Sequence, residues 1–121
     1  MNRREALKIA GVTAVVAAVG AEAKMLEEHM NRLEMKPKDA KGYTLVEITI
    51  GQGGIIHPST PDHWIDFIEL YADDKLVGKN MLEPEISRGA TSFAVKLDGV
   101  KVLKARSGCN LHGIWTTTVT L

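Results

Sequence analysis

The stretch Cys109-Asn110-Leu111-His112-Gly113-Ile114-Trp115 holds the single cysteine of the chain and one of its four histidines. A thiol and an imidazole at C-x-x-H spacing can reach one ion from a single tight turn, a common local unit of transition-metal sites. Taken alone, the pair also fits a buried apolar cysteine beside a hydrogen-bonded histidine. A second pair lies upstream in His57-Pro58-Ser59-Thr60-Pro61-Asp62-His63. Its two prolines forbid a regular helix and stiffen the loop between the histidines. His29, within Glu27-Glu28-His29-Met30-Asn31, completes the inventory. Imidazoles with one thiolate suit iron, zinc or copper rather than magnesium or calcium. A closed structural zinc site takes four ligands, so His29, His57, His63, Cys109 and His112 together point to a five-coordinate ion with one position open.

The chain reads as one domain of 121 residues with 45% hydrophobic content. Residues 24–36 carry Leu26, Met30 and Leu33 at helical spacing, with His29 on the same face, and predict a helix. Lys36 to Gly42, rich in charge and flanked by Pro37 and Gly42, reads as a linker. Tyr43–Ile50 alternates in period two and is rich in β-branched residues, which predicts a strand. Further strands are predicted over 64–72, 75–82, 91–97, 100–105 and 115–121. Asp73-Asp74 and Asp98-Gly99 are read as turns, the latter as a two-residue hairpin. Short strands separated by Gly, Pro and Asp turns, with no interleaved helices, predict an all-β fold: an immunoglobulin-like antiparallel β-sandwich with a short N-terminal helix.

Residues 1–23 read differently. Arg3 and Arg4 precede an apolar run from Ile9 to Gly20 that ends in Ala21-Glu22-Ala23. A basic start, a short apolar middle and an A-x-A end are the parts of an export signal, and the arginine pair resembles a twin-arginine signal. The run is short for a membrane span, which needs about 20 apolar residues. The expected division is therefore an export signal over 1–23, helix and linker over 24–42, and the sandwich over 43–121. The expected location is periplasmic or exported, with a membrane tether if the signal stays uncleaved.

The segments 57–71 and 109–115 resemble the two signature stretches of the superoxide reductase family, that of neelaredoxin and the iron-site domain of desulfoferrodoxin. The resemblance covers residues 43–121 and implies an immunoglobulin-like sandwich around a mononuclear non-haem iron with four equatorial histidines and an axial cysteine thiolate. Matched by motif, His57, His63 and His112 take equatorial places and Cys109 the axial one. The fourth histidine of the family lies in a Glu-Lys-His-Val-Pro segment; here Glu27 and His29 match, Glu28 replaces the lysine, and Val-Pro is absent. His29 is thus either the fourth ligand or one residue of an amphipathic helical face.

The resemblance implies one-electron reduction of superoxide to hydrogen peroxide, fed by an external one-electron donor protein of the rubredoxin or cytochrome kind. An acidic Glu28 near the open position would repel an anionic substrate. A non-catalytic iron-binding or redox-carrier module on the same scaffold is the alternative, and a closed zinc site a third reading. Trp64 and Trp115 are expected to pack against the site and shield it. The chain carries 15 basic and 15 acidic residues. That balance gives no footprint for nucleic acid and leaves a homo-oligomer open.

Overall fold

The computed structural model describes residues 14–16, 23–51 and 54–121. Eight strands and one helix occur among them: β1 (Ala14–Val16), α1 (Ala23–His29), β2 (Asn31–Met35), β3 (Thr44–Ile50), β4 (Ile65–Ala72), β5 (Lys75–Met81), β6 (Ala90–Val95), β7 (Val102–Cys109) and β8 (Gly113–Thr120). All pairings are antiparallel, in a five-stranded sheet of order β1-β8-β7-β4-β5 and a three-stranded sheet of order β2-β3-β6. This is the expected immunoglobulin-like sandwich with a short N-terminal helix. Most of the segment read as an export signal lies outside the described residues.

Strand alternation explains the core. Val46, Ile48 and Ile50 of β3 turn inward against Ile65, Ile68 and Leu70 of β4 and Leu103 and Ala105 of β7, all essentially inaccessible to water. Removing each large aliphatic side chain from water contributes roughly 1.5–3 kcal/mol. On the outer face, Glu69 stands opposite Lys79 on one neighbouring strand and Arg106 on the other. Its carboxylate lies 3.3 and 3.2 Å from their nitrogens and accepts the Tyr71 hydroxyl at 3.0 Å.

Two local expectations change. The predicted helix over 24–36 stops at His29, and Asn31–Met35 is strand β2, paired with β3 from Asn31↔Ile50 to Met35↔Val46. Helical spacing and period-two alternation coexist in this stretch: Asn31, Leu33 and Met35 are more buried than Arg32 and Glu34. Pairing with β3 satisfies a whole row of backbone groups, which lone continuation of the helix would not. Residues 36–43 are accordingly the connection of a β-hairpin, closed by Lys36 N–H to Leu45 O and Asp39 N–H to Tyr43 O.

The second change is at Asp98-Gly99. Gly99 has φ +80 and Val100 N–H donates to Leu97 O, so the tight turn forms. It joins no hairpin, because β6 pairs with β3 while β7 pairs with β4 and β8 in the other sheet. Asp73-Asp74 does close a hairpin, both residues having positive φ as a type I′ turn requires.

Antiparallel order puts the connections at two ends of the sandwich. α1, residues 54–64, residues 82–89 and the turn 110–112 gather at one end; residues 36–43, 73–74 and 96–101 lie at the other. Every candidate ligand is at the first end. There β7 runs against Phe67 with no room to spare, since a Cβ at Gly108 would collide with the Phe67 ring. Gly108→Ala should therefore displace β7 next to Cys109 and cost about 1–3 kcal/mol, read as a lowered denaturant midpoint. An unchanged midpoint would show that the ring moves aside freely.

Candidate metal centre

Each ligand candidate is oriented by its own backbone. His29 is the last residue of α1, and its Nδ1 lies 2.7 Å from the Met25 carbonyl one turn back. A carbonyl can only accept, so Nδ1 carries the proton and Nε2 presents its lone pair inward. His57 repeats the device with the Pro58 carbonyl, 2.9 Å from its Nδ1. His63 closes a small loop whose backbone pairs with Thr60 in both directions, at 2.9 and 3.2 Å. Cys109 ends β7 and faces inward, and His112 follows in the turn, paired across it by Cys109↔Gly113.

The rings form a four-membered circuit. Centroids lie 4.9 Å apart for His29–His57, 4.5 Å for His57–His63, 5.1 Å for His63–His112 and 4.9 Å for His112–His29, with 6.4 Å across the His29–His63 diagonal. One donor atom each from His29, His57, His63 and Cys109 lie within 4.8 Å of one another. His112 Nδ1 joins them, 3.2 Å from His29 Nε2 and 3.6 Å from Cys109 Sγ. The structure thus brings all five sequence candidates together, His29 included. It also explains why the helix had to end there: one more turn would carry Asn31 away from the sheet.

The polar atoms left over fit a cation. Nε2 of His57 and Nε2 of His63 are buried and have no hydrogen-bond partner. Buried nitrogens are normally paired, and two adjacent orphans aimed into one circuit of imidazoles call for a group between them. Soft sulfur with several imidazoles matches a transition ion, with Nδ1–carbonyl bonds holding the tautomers it needs. Burial lowers the pKa of His29 and takes that of His57 from 6.5 to about 4. For both, the neighbouring imidazoles add to the effect, while the backbone carbonyl and the Glu28 charge oppose it.

Three supporting residues escaped the sequence reading. Asn31, 1% exposed, donates through Nδ2 to Ala105 O on β7 and Trp115 O on β8, at 3.1 and 2.9 Å. It pins the chain two residues past His29 to the strands that carry Cys109 and Trp115. Asn110 accepts from Trp64 N–H at 2.8 Å and donates to Asp62 O at 2.7 Å, lacing the His63 loop to the His112 turn. Arg88 donates to Ile56 O and His57 O, fixing the backbone that carries His57. No spacing rule marks these contacts, because each joins residues distant in the chain. Trp115 packs as expected: its ring stacks on His29 at 4.8 Å and its indole donates to His112 O.

The histidine burial makes a pH prediction. In the unfolded chain His57 takes up a proton near pH 6.5, while in the folded metal-free protein it stays neutral down to about pH 4. Folding stability is therefore intact above pH 6.5 and falls as pH drops from there toward 4, by roughly 3 kcal/mol from this residue. Urea midpoints of the metal-free protein across this range should show the loss, and His57→Gln should flatten it. An equally steep curve in that variant would assign the loss to other groups.

The family model for desulfoferrodoxin matches residues 21–118. The chain is 39% identical over 89 residues to desulfoferrodoxin of Nitratidesulfovibrio vulgaris, covering 74% of this chain and 60% of that protein, less than two thirds of its length. It is 36% identical over 86 residues to a superoxide reductase of Pyrococcus horikoshii, covering 63% of this chain and 73% of that protein. Among solved structures, the Giardia intestinalis superoxide reductase superposes with TM-score 0.61 at 30% identity, over 74% of this chain and 95% of that one. An Ignicoccus hospitalis neelaredoxin variant, E23A, gives 0.69 at 29%, over 84% and 85%. With a match running from α1 into β8 and donors placed to hold a metal, the chain belongs to the desulfoferrodoxin family, that of the superoxide reductases.

Proposed function

We propose that this protein reduces superoxide to hydrogen peroxide by one electron and two protons at a mononuclear iron held by His29, His57, His63, His112 and Cys109. The observation that carries the reading is the circuit of four imidazoles closed by a thiol, with two buried nitrogens left unpartnered. Iron bound there would supply a one-electron Fe2+/Fe3+ couple, with the thiolate as the electron-rich ligand. The chain's own residues supply the rest. The Met25 and Pro58 carbonyls hold protons on Nδ1 of His29 and His57. Burial of Cys109 keeps its sulfur from solution oxidants. Trp115 shields one face of His29.

Glu28 favours a second reading, a non-catalytic iron-binding or redox-carrier module on the same scaffold. The side chain is half-buried beside His29, and its charge reaches both His29 and His57. An anionic substrate meets repulsion there rather than attraction. Protein expressed in iron-replete medium should hold about one iron per chain and show a thiolate-to-iron absorption band that is absent in Cys109→Ser. His29→Ala should shift that band. Pre-reduced protein exposed to a pulse of superoxide should release peroxide, and Glu28→Lys should speed this about tenfold at low salt, less at high salt. Colourless protein with stoichiometric zinc would overturn the iron; iron without peroxide would leave the carrier.

Export through a twin-arginine signal over residues 1–23 is part of the same proposal. It is supported by the Arg3-Arg4 pair, the apolar run and Ala21-Glu22-Ala23. That route carries folded proteins, so iron could be loaded before transport. Changing both arginines to lysine should hold the precursor in the cytoplasm, whereas undiminished recovery outside it would reject the signal.

A further inference from the structure

The two ends of the sandwich differ in charge. Among the described residues, the connections at the ligand end carry five carboxylates, Glu27, Glu28, Asp62, Glu83 and Glu85, against Lys24 of α1 and Arg88, and Arg32 of β2 adds a third cation there by donating to Gly51 O at 3.4 Å. Arg88 is committed to the Ile56 and His57 carbonyls. The far-end connections carry Lys36, Lys38, Lys41, Lys96 and Lys101 interspersed with aspartates, including the Lys38–Asp98 pair at 3.5 Å. An ion in the site would offset only part of the acidic excess, since one of its charges is cancelled by the thiolate.

Apolar side chains stand exposed among these carboxylates. Ile86 is 83% exposed and Leu111 60%, with Ile55 and Ile56 about two-fifths exposed. Hydrogen bonds from Ser59 Oγ to Ser87 O and from Glu85 N–H to Ser59 Oγ tie the loop of Ile86 to the loop that follows Ile55 and Ile56. Leu111 precedes His112 in the turn 110–112. Exposed apolar residues and an excess of carboxylates therefore share the end of the sandwich that holds the histidines, a combination that selects partners by charge and seats them by apolar contact.

We propose that this end is the docking face for a one-electron carrier protein whose own redox edge is apolar and ringed by lysines. The proposal rests on the redox reading of the site and names the partner's chemistry. A carrier with an acidic rim is repelled, and so is the same face of a second copy. The far end of a second copy mixes lysines with aspartates and offers no uniform complement. One electron passes between the carrier and the site ion; the donor is oxidised by one and the acceptor reduced by one, with no bond or proton moved.

The test uses a lysine-rich c-type cytochrome and the same cytochrome with its lysines succinylated, so that fold is held and charge inverted. Calorimetric titration of the metal-free protein measures docking independently of iron, and stopped-flow absorbance of the iron-loaded protein measures electron exchange in the downhill direction. The basic form should bind and exchange at least about tenfold better at low salt, the advantage fading as salt rises. The double variant Glu83→Lys, Glu85→Lys should reverse the preference, with reduction by uncharged hydroquinone unchanged. Equal binding of the two forms, or an unaltered preference in the variant, overturns the proposal. So does a change in sedimentation mass on charge reversal, which would give the face to a second copy. Peroxide yield from pre-reduced protein is scored separately: docking without peroxide leaves the carrier reading, and peroxide without docking leaves the enzyme with another partner surface.

Discussion

His29 and His57 are buried against neighbouring imidazoles, where a positive charge is disfavoured, and this constraint governs the ligand end of the molecule. Burial and the neighbouring rings both favour neutral imidazole, and the Met25 and Pro58 carbonyls decide which nitrogen keeps the proton. What remains is a set of inward lone pairs. Such a set is stable only around a cation or with careful support, and much of the local structure is that support: Asn31 bridging two strands, Asn110 lacing two loops, and Arg88 tethering the backbone at His57.

How far the sequence could be read follows from the range of the forces involved. Strand alternation, the Asp73-Asp74 turn and the two histidine-bearing motifs depend on neighbours in the chain, and the sandwich was visible in them. The path of residues 31–35 was not, because their five side chains satisfy both a helical and a two-residue period; the row of hydrogen bonds offered by β3 settles it. The same holds for Asp98-Gly99, whose turn chemistry forms as expected while the strands it joins enter different sheets. His29 stood between two readings for this reason. Its place depends on where the helix ends, and that depends on Asn31 finding carbonyls on β7 and β8.

The departure at Glu28 and the segregation of charge belong together. A single acidic side chain could be an accident of one position, but five carboxylates distributed over α1 and two loops form a field. Fields of this kind act on approach more than on the bound state, and they sort small anions from large, patchily charged proteins.

The donors come from separate stretches of chain: the end of α1, the loop of His57 and His63, and the hairpin that carries Cys109 and His112. An ion joining them would tie two long loops of backbone at one point and, because the five donors converge only in the folded chain, its binding free energy would add to the stability of that state. Loss of the ion would then be governed by how often that end of the sandwich opens. Metal exchange would follow the slow clock of local unfolding rather than the fast clock of ligand dissociation.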